Sequence, residues 1–96
     1  MTGLNQIREI ISTQRDFLSK KYHISQIGCF GSYATGNETP KSDIDLLVKF
    51  SEPIGWEFIE LKDFFEKLFN RKVDLITEPA LKASLRDAIL KEMVLI

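Results

Sequence analysis

The stretch FGSYATGNETPKSDIDLLVKF, residues 30–50, decides how this chain is read. Upstream of it, Ile24 to Phe30 (ISQIGCF) is β-branched at Ile24 and Ile27 and reads as a short strand that stops at Gly31-Ser32. Ala34 to Ser42 is rich in Gly, Asn, Pro, Ser and Thr, which predicts loop after one helical turn beginning near Ser32. Ile44 to Phe50 then sets Ile44, Leu46, Val48 and Phe50 on one face against Asp45, Leu47 and Lys49 on the other, with Asp43 at the strand's start. Residues two apart on a strand share a face, so Asp43 and Asp45 point the same way, their Cα atoms roughly 6 to 7 Å apart.

Working outward, Leu4, Ile7, Ile10, Ile11, Phe17 and Leu18 fall at the 3-to-4 spacing of a helix running to about Lys20. Beyond the turn signal Ser51-Glu52-Pro53 and Gly55, the run Trp56 to Phe69 has helical spacing, with Trp56, Phe58, Phe64, Phe65 and Phe69 assigned to core packing. Lys72 to Thr77 is a third strand, carrying Asp74. Pro79 opens a last helix with apolar positions Leu81, Leu85, Ile89 and Met93. Strands alternating with helices predict one α/β domain spanning residues 1–96, a small mixed β-sheet with helices packed mainly on one face.

Composition narrows the function classes. At 44% hydrophobic and 28% charged residues, the chain can bury a modest core. A core of this size leaves little surplus stability, so association as a homodimer or with another protein would add to it. Thirteen basic and fourteen acidic residues, with no clustering of Lys and Arg, argue against a direct nucleic-acid binder. Asp45, Lys49 and Glu52 interrupt the longest apolar region, which excludes a membrane span. No signal-peptide pattern is visible, so a cytoplasmic location is expected. Cys29 lies among apolar strand residues as a small core hydrophobe, and His23 reads as a surface histidine.

Chemistry enters with the acids. Hard oxygen ligands converging on one point suit Mg²⁺, and a pair of such ions can bind both the attacking and the leaving oxygens of a phosphoryl displacement. Asp43 and Asp45 supply that pair of carboxylates, and Asp74 adds a third, as metal ligand or as base, if its strand lies beside theirs. At the strand-to-helix junction, Gly31-Ser32 offers backbone N–H groups, a hydroxyl and no Cβ at the glycine, which suits the β- and γ-phosphates of a nucleoside triphosphate.

Gly31-Ser32, ten residues, then Asp43-Ile44-Asp45 resembles the signature of the DNA polymerase β-type nucleotidyltransferase superfamily. The whole chain resembles the minimal members, the MntA-like antitoxins of HEPN/MNT toxin–antitoxin pairs. FGSYATGNETPKSDIDLLVKF, VDLIT and the closing RDAILKEMVLI carry the resemblance. It implies a polymerase β-like fold, metal binding by Asp43, Asp45 and Asp74, ATP as donor, and transfer of AMP to a tyrosine of a companion HEPN toxin, an RNase thereby silenced. Many relatives carry Arg where Thr35 stands between Ala34 and Gly36, which leaves an extra cationic contact to the triphosphate open; Lys41 is the substitute considered.

Larger superfamily members append a domain for the acceptor, and 96 residues leave no length for one, which points to an acceptor that brings its own surface. Two other readings stay open. One is a binding-only antitoxin, against which the three retained carboxylates argue, since their mutual repulsion is costly without a cation. The other is transfer to a small molecule, as in aminoglycoside-modifying relatives, with a homodimer building the pocket. The closing Met93-Val94-Leu95-Ile96 and the aromatic helix are candidate docking surfaces.

Overall fold

The computed structural model describes residues 3–96; Met1 and Thr2, part of the 1–96 domain reading, lie outside the described residues. The elements are α1 (Leu4–Tyr22), β1 (Ile24–Phe30), α2 (Ser32–Thr35), β2 (Ile44–Phe50), α3 (Glu57–Phe69), β3 (Val73–Thr77), α4 (Ala83–Glu92) and β4 (Val94–Leu95). Four strands form one sheet in the order β3-β2-β1-β4, parallel only between β2 and β3. This is the mixed α/β sheet expected from the sequence.

Strand alternation divides the sheet into two unlike faces. Ile27 and Cys29 of β1, Ile44, Leu46 and Val48 of β2, and Val73 and Leu75 of β3 point to one side and are buried. Against them pack Ile7, Ile11, Leu18 and Tyr22 of α1 and Leu61, Phe65 and Phe69 of α3. No charged residue enters this core among the described residues. Tyr22, its ring buried, sends its hydroxyl out to donate to Glu60 Oε1 at 2.9 Å, so α1 and α3 are tied by a polar contact at the rim.

The opposite face carries Gln26, Gly28 and Phe30 of β1, in register with Lys49, Leu47 and Asp45 of β2, followed by Ile76 and Asp74 of β3 beside Leu47 and Asp45. Here cover comes from the C-terminal segment. Gly28 has no side chain, and a Cβ there would collide with the Met93 thioether, so the glycine lets Met93 lie against β1. Backbone pairing then holds Val94 opposite Cys29 and Leu95 opposite Gly28, and the Ile96 N–H donates to Ile27 O at 3.0 Å.

Several boundaries differ from the sequence expectation. Helix α1 runs past Lys20 to Tyr22 and ends on His23 in the left-handed conformation, φ 58°, a role more often taken by glycine. Pro79 does not open α4. It lies in a short 3₁₀ turn, Glu78–Ala80, after which Leu81 and Lys82 are extended, leaving Leu81 outside the helix. Met93 is likewise extended, past the helix end. The spacing of Leu81, Leu85, Ile89 and Met93 imitates a buried stripe, yet no residue of α4 is buried and Leu85 is 51% exposed. Trp56 is not core: it sits at the N-cap of α3, 86% exposed. The other rings assigned to core packing do pack there, Phe65 and Phe69 buried and Phe58 and Phe64 against them.

Candidate active site

Parallel pairing of β2 with β3 places Asp45 directly beside Asp74, and antiparallel pairing with β1 places Asp45 beside Phe30. In-register neighbours share a face, so the sheet itself brings the two carboxylates together on the side away from the core. Burial first, then the charge of Asp74 and a hydrogen bond to it, then the charges of Asp43 and Glu92, push the Asp45 carboxyl up to about 6. Asp43, exposed and one residue before β2, enters through its charge on Asp45.

Among the described residues no three His, Cys, Asp or Glu side chains close around a common point. The structure joins Asp45 to Asp74, with Asp43 bordering them. Such an oxygen-only donor set fits a hard divalent cation, whose charge would reverse the crowding that raises Asp45.

The loop that delivers Asp43 is fastened at several points. Gly36, φ 78°, ends α2, and the Asn37 N–H returns to Ser32 O at 2.9 Å. Thr39 and Ser42 exchange bonds, the Thr39 N–H to Ser42 Oγ at 2.9 Å and the Ser42 N–H to Thr39 O at 3.0 Å. From the turn between α3 and β3, Arg71 Nη1 donates to Pro40 O at 2.7 Å. The Ile44 N–H then joins Lys72 O at 3.0 Å, opening the β2–β3 ladder beside the acids.

Gly31 stands where only glycine fits. Its φ of 74° and ψ of −152° lie outside the regions open to L-residues, and a Cβ would run into the Asp45 carboxylate. Its N–H is already engaged, donating to Glu92 Oε1 at 2.6 Å. The donors left for an anion are the Ser32 N–H, the Ser32 hydroxyl and the Tyr33 N–H, which make no hydrogen bond among the described residues. Since α2 has only four residues, its helix dipole is a small contribution, and these individual donors matter more. Tyr33 anchors the turn with its ring buried beneath it.

Thr35, in the position where Arg was expected from the resemblance, turns its hydroxyl back to Gly31 O at 3.2 Å and contributes no charge. Cys29 is fully buried, and burial pushes its thiol up to about 12, which suits a packing residue and not a nucleophile. His23 pairs with Glu52 at 3.2 Å beyond the start of β1, while the acids lie near that strand's end. A mostly apolar groove of about 530 Å³ runs from Val48 to Pro53 and Thr77 to Pro79, at the far ends of β2 and β3 from Asp45 and Asp74. Sequence reading gave Glu92 no role, although it lies in RDAILKEMVLI, because its contact with Gly31 spans 61 residues.

The nucleotidyltransferase domain model matches residues 11–96, and the chain belongs to that family. Within it the chain is of the minimal, MntA type. It is 36% identical over 95 residues to the protein adenylyltransferase MntA of Thermococcus cleftensis, covering 98% of this chain and 96% of that one. A relative from Methanocaldococcus jannaschii named for the same activity is 42% identical over 84 residues, 84% of each chain. A solved structure described as a minimal nucleotidyltransferase superposes with a TM-score of 0.81 at 29% identity, covering 97% of this chain and 95% of that one. The fold also recurs in a toxin–antitoxin complex solved with AMP-PNP, TM-score 0.68 at 21% identity, over 95% of this chain and 69% of that one. Nucleotidyltransferases of this kind use a nucleoside triphosphate and a divalent metal.

Proposed function

We propose that this chain, acting as one domain over residues 1–96, transfers AMP from ATP to a hydroxyl, a tyrosine of a partner HEPN toxin, and thereby serves as its antitoxin. The observation that carries the reading is the pairing of Asp45 with Asp74 directly over the Gly31 turn, beside the unengaged donors of Ser32 and Tyr33. The activity takes its support from the identity to an MntA protein adenylyltransferase, and the partner from the fold shared with the toxin–antitoxin complex.

In this reading Ser32 and the Tyr33 N–H hold the β- and γ-phosphates. Asp43, Asp45 and Asp74 would hold Mg²⁺, which screens the triphosphate and stabilises the leaving pyrophosphate. The acceptor oxygen attacks the α-phosphorus, the bond from that phosphorus to the bridging oxygen breaks, and pyrophosphate departs. The acceptor's proton goes to Asp74, the more exposed member of the carboxylate pair.

The test is incubation with labelled ATP, Mg²⁺ and the companion toxin, comparing wild type with Asp43→Asn and Asp45→Asn. We expect label on a toxin tyrosine, with each variant slower by about 1,000-fold or more, as when an electrostatic element of a phosphoryl-transfer site is removed. Label transfer that survives both substitutions overturns the metal assignment. A wild type that neutralises the toxin without labelling it would replace this reading with antitoxin action by contact alone.

A further inference from the structure

Glu92 closes α4, and its Oε1 accepts the Gly31 N–H at 2.6 Å. A hydrogen bond to an ionised acceptor is roughly twice as strong as a neutral one. The N–H it holds belongs to the Phe30–Gly31 peptide, which leads from β1 into a glycine whose φ of 74° no side chain fixes. Everything downstream depends on that peptide. Gly31 O accepts the Ala34 and Thr35 N–H groups at 3.1 and 3.2 Å, and the Ser32 and Tyr33 donors project from the turn it begins. Rotation about the Gly31 φ and ψ angles, relative to the held N–H, would swing all of them.

Glu92 itself is well fixed even though α4 is exposed. The next residue, Met93, lies against Gly28, and Val94 and Leu95 pair with β1, the strand that leads into Gly31. Strand and carboxylate are thus two attachments of one segment to the same turn. The carboxylate also stands close enough to Asp45 for their like charges to be felt. Glu92 is exposed, and the Gly31 N–H is the contact that keeps its carboxylate at the turn.

We infer that Glu92 is a positioning residue for nucleotide binding: by holding the Gly31 peptide it aims the Ser32 and Tyr33 donors at the triphosphate. The inference rests on the nucleotidyl-transfer reading and adds a residue to it. Glutamine separates the hydrogen bond from the charge, because its amide oxygen can accept the same N–H.

The experiment uses the full chain and its partner, with Glu92→Gln and Glu92→Ala. Three readouts apply: the Kd for ATP with Ca²⁺ by calorimetry, kcat and KM for AMP transfer, and the Gly31 amide resonance without nucleotide. For Glu92→Ala we expect Kd and KM to rise about tenfold, the scale of one lost hydrogen bond to a charged group, with kcat within about threefold of wild type and the Gly31 amide shifted. Glu92→Gln should restore binding to within about twofold of wild type and keep the amide near its original position. Equal loss of kcat in both variants would make Glu92 a catalytic proton acceptor instead. Tighter ATP binding in both would make it a competitor of the phosphates, and no change in either would make it idle; each overturns the positioning role. A wild type that binds no ATP is a different result, and removes the function reading together with this one.

Discussion

On the face of the sheet beneath α1 and α3, Ile44, Leu46 and Val48 are completely buried, whereas one residue along on the same strand Asp45 and Lys49 meet solvent. The first face is a dry core, with Ile7, Ile11, Leu61 and Phe65 all at 0% exposure. The second is covered by a helix that buries none of its residues and by a two-residue edge strand. Stability and chemistry therefore come from alternate residues of one strand. Carboxylates that repel one another can be kept on the open face because the other face supplies the apolar burial that holds the fold.

Unequal faces imply unequal responses to trimming. Phe65→Ala, in the centre of α3, should destabilise the fold by about 3 to 4 kcal/mol, a large share of what a domain of this size possesses. Leu85→Ala on α4, half exposed, should change stability by less than about 0.5 kcal/mol. Urea denaturation of the two variants tests the comparison, which breaks if Leu85→Ala costs as much as Phe65→Ala. The Gly31 turn lies between these extremes. Gly31→Ala forces a side chain into φ 74° and against the Asp45 carboxylate, so a loss of about 2 kcal/mol is expected, with transfer slowed about 100-fold. Wild-type activity in that variant would mean the turn and Asp45 shift apart without consequence.

How much of this was legible in the sequence depended on the range of the cause. Alternation in Ile44 to Phe50 is local, and it announced the buried face of Ile44, Leu46 and Val48 and the placing of Asp45 on the other. Gly31 was marked as a place for a phosphate to approach; in the structure the group lying against it is Asp45, and its N–H serves Glu92. The edge strand Val94–Leu95 was hidden because two residues carry no period, and its pairing with β1 spans most of the chain. The spacing of Leu81 to Met93 misled for a related reason: periodicity records where apolar residues fall, not whether another element is there to cover them. Trp56 failed similarly, since a ring at a helix N-cap points outside the stripe to which its spacing assigns it.

The finest test of the two-face comparison is the pH dependence of Asp45→Asn. Burial and the neighbouring acids push the wild-type carboxyl up to about 6, whereas an unfolded Asp titrates near 3.9. The folded state therefore holds this proton more tightly, and stability falls as pH rises from about 4 through about 6. Asp45 is only partly buried, and solvent screening limits the effect to about 1 kcal/mol. Asparagine removes the titration. Asp45→Asn should accordingly be more stable than wild type by about 1 kcal/mol at pH 8, with the advantage fading near pH 4, read from urea midpoints across that range. Millimolar Ca²⁺ should raise the wild-type midpoint at pH 8 more than the variant's, because the variant has lost one of the three carboxylates that attract the cation. A variant less stable than wild type at pH 8 would show that the open face holds its carboxylate at no cost, and the division of labour between the faces would have to be redrawn.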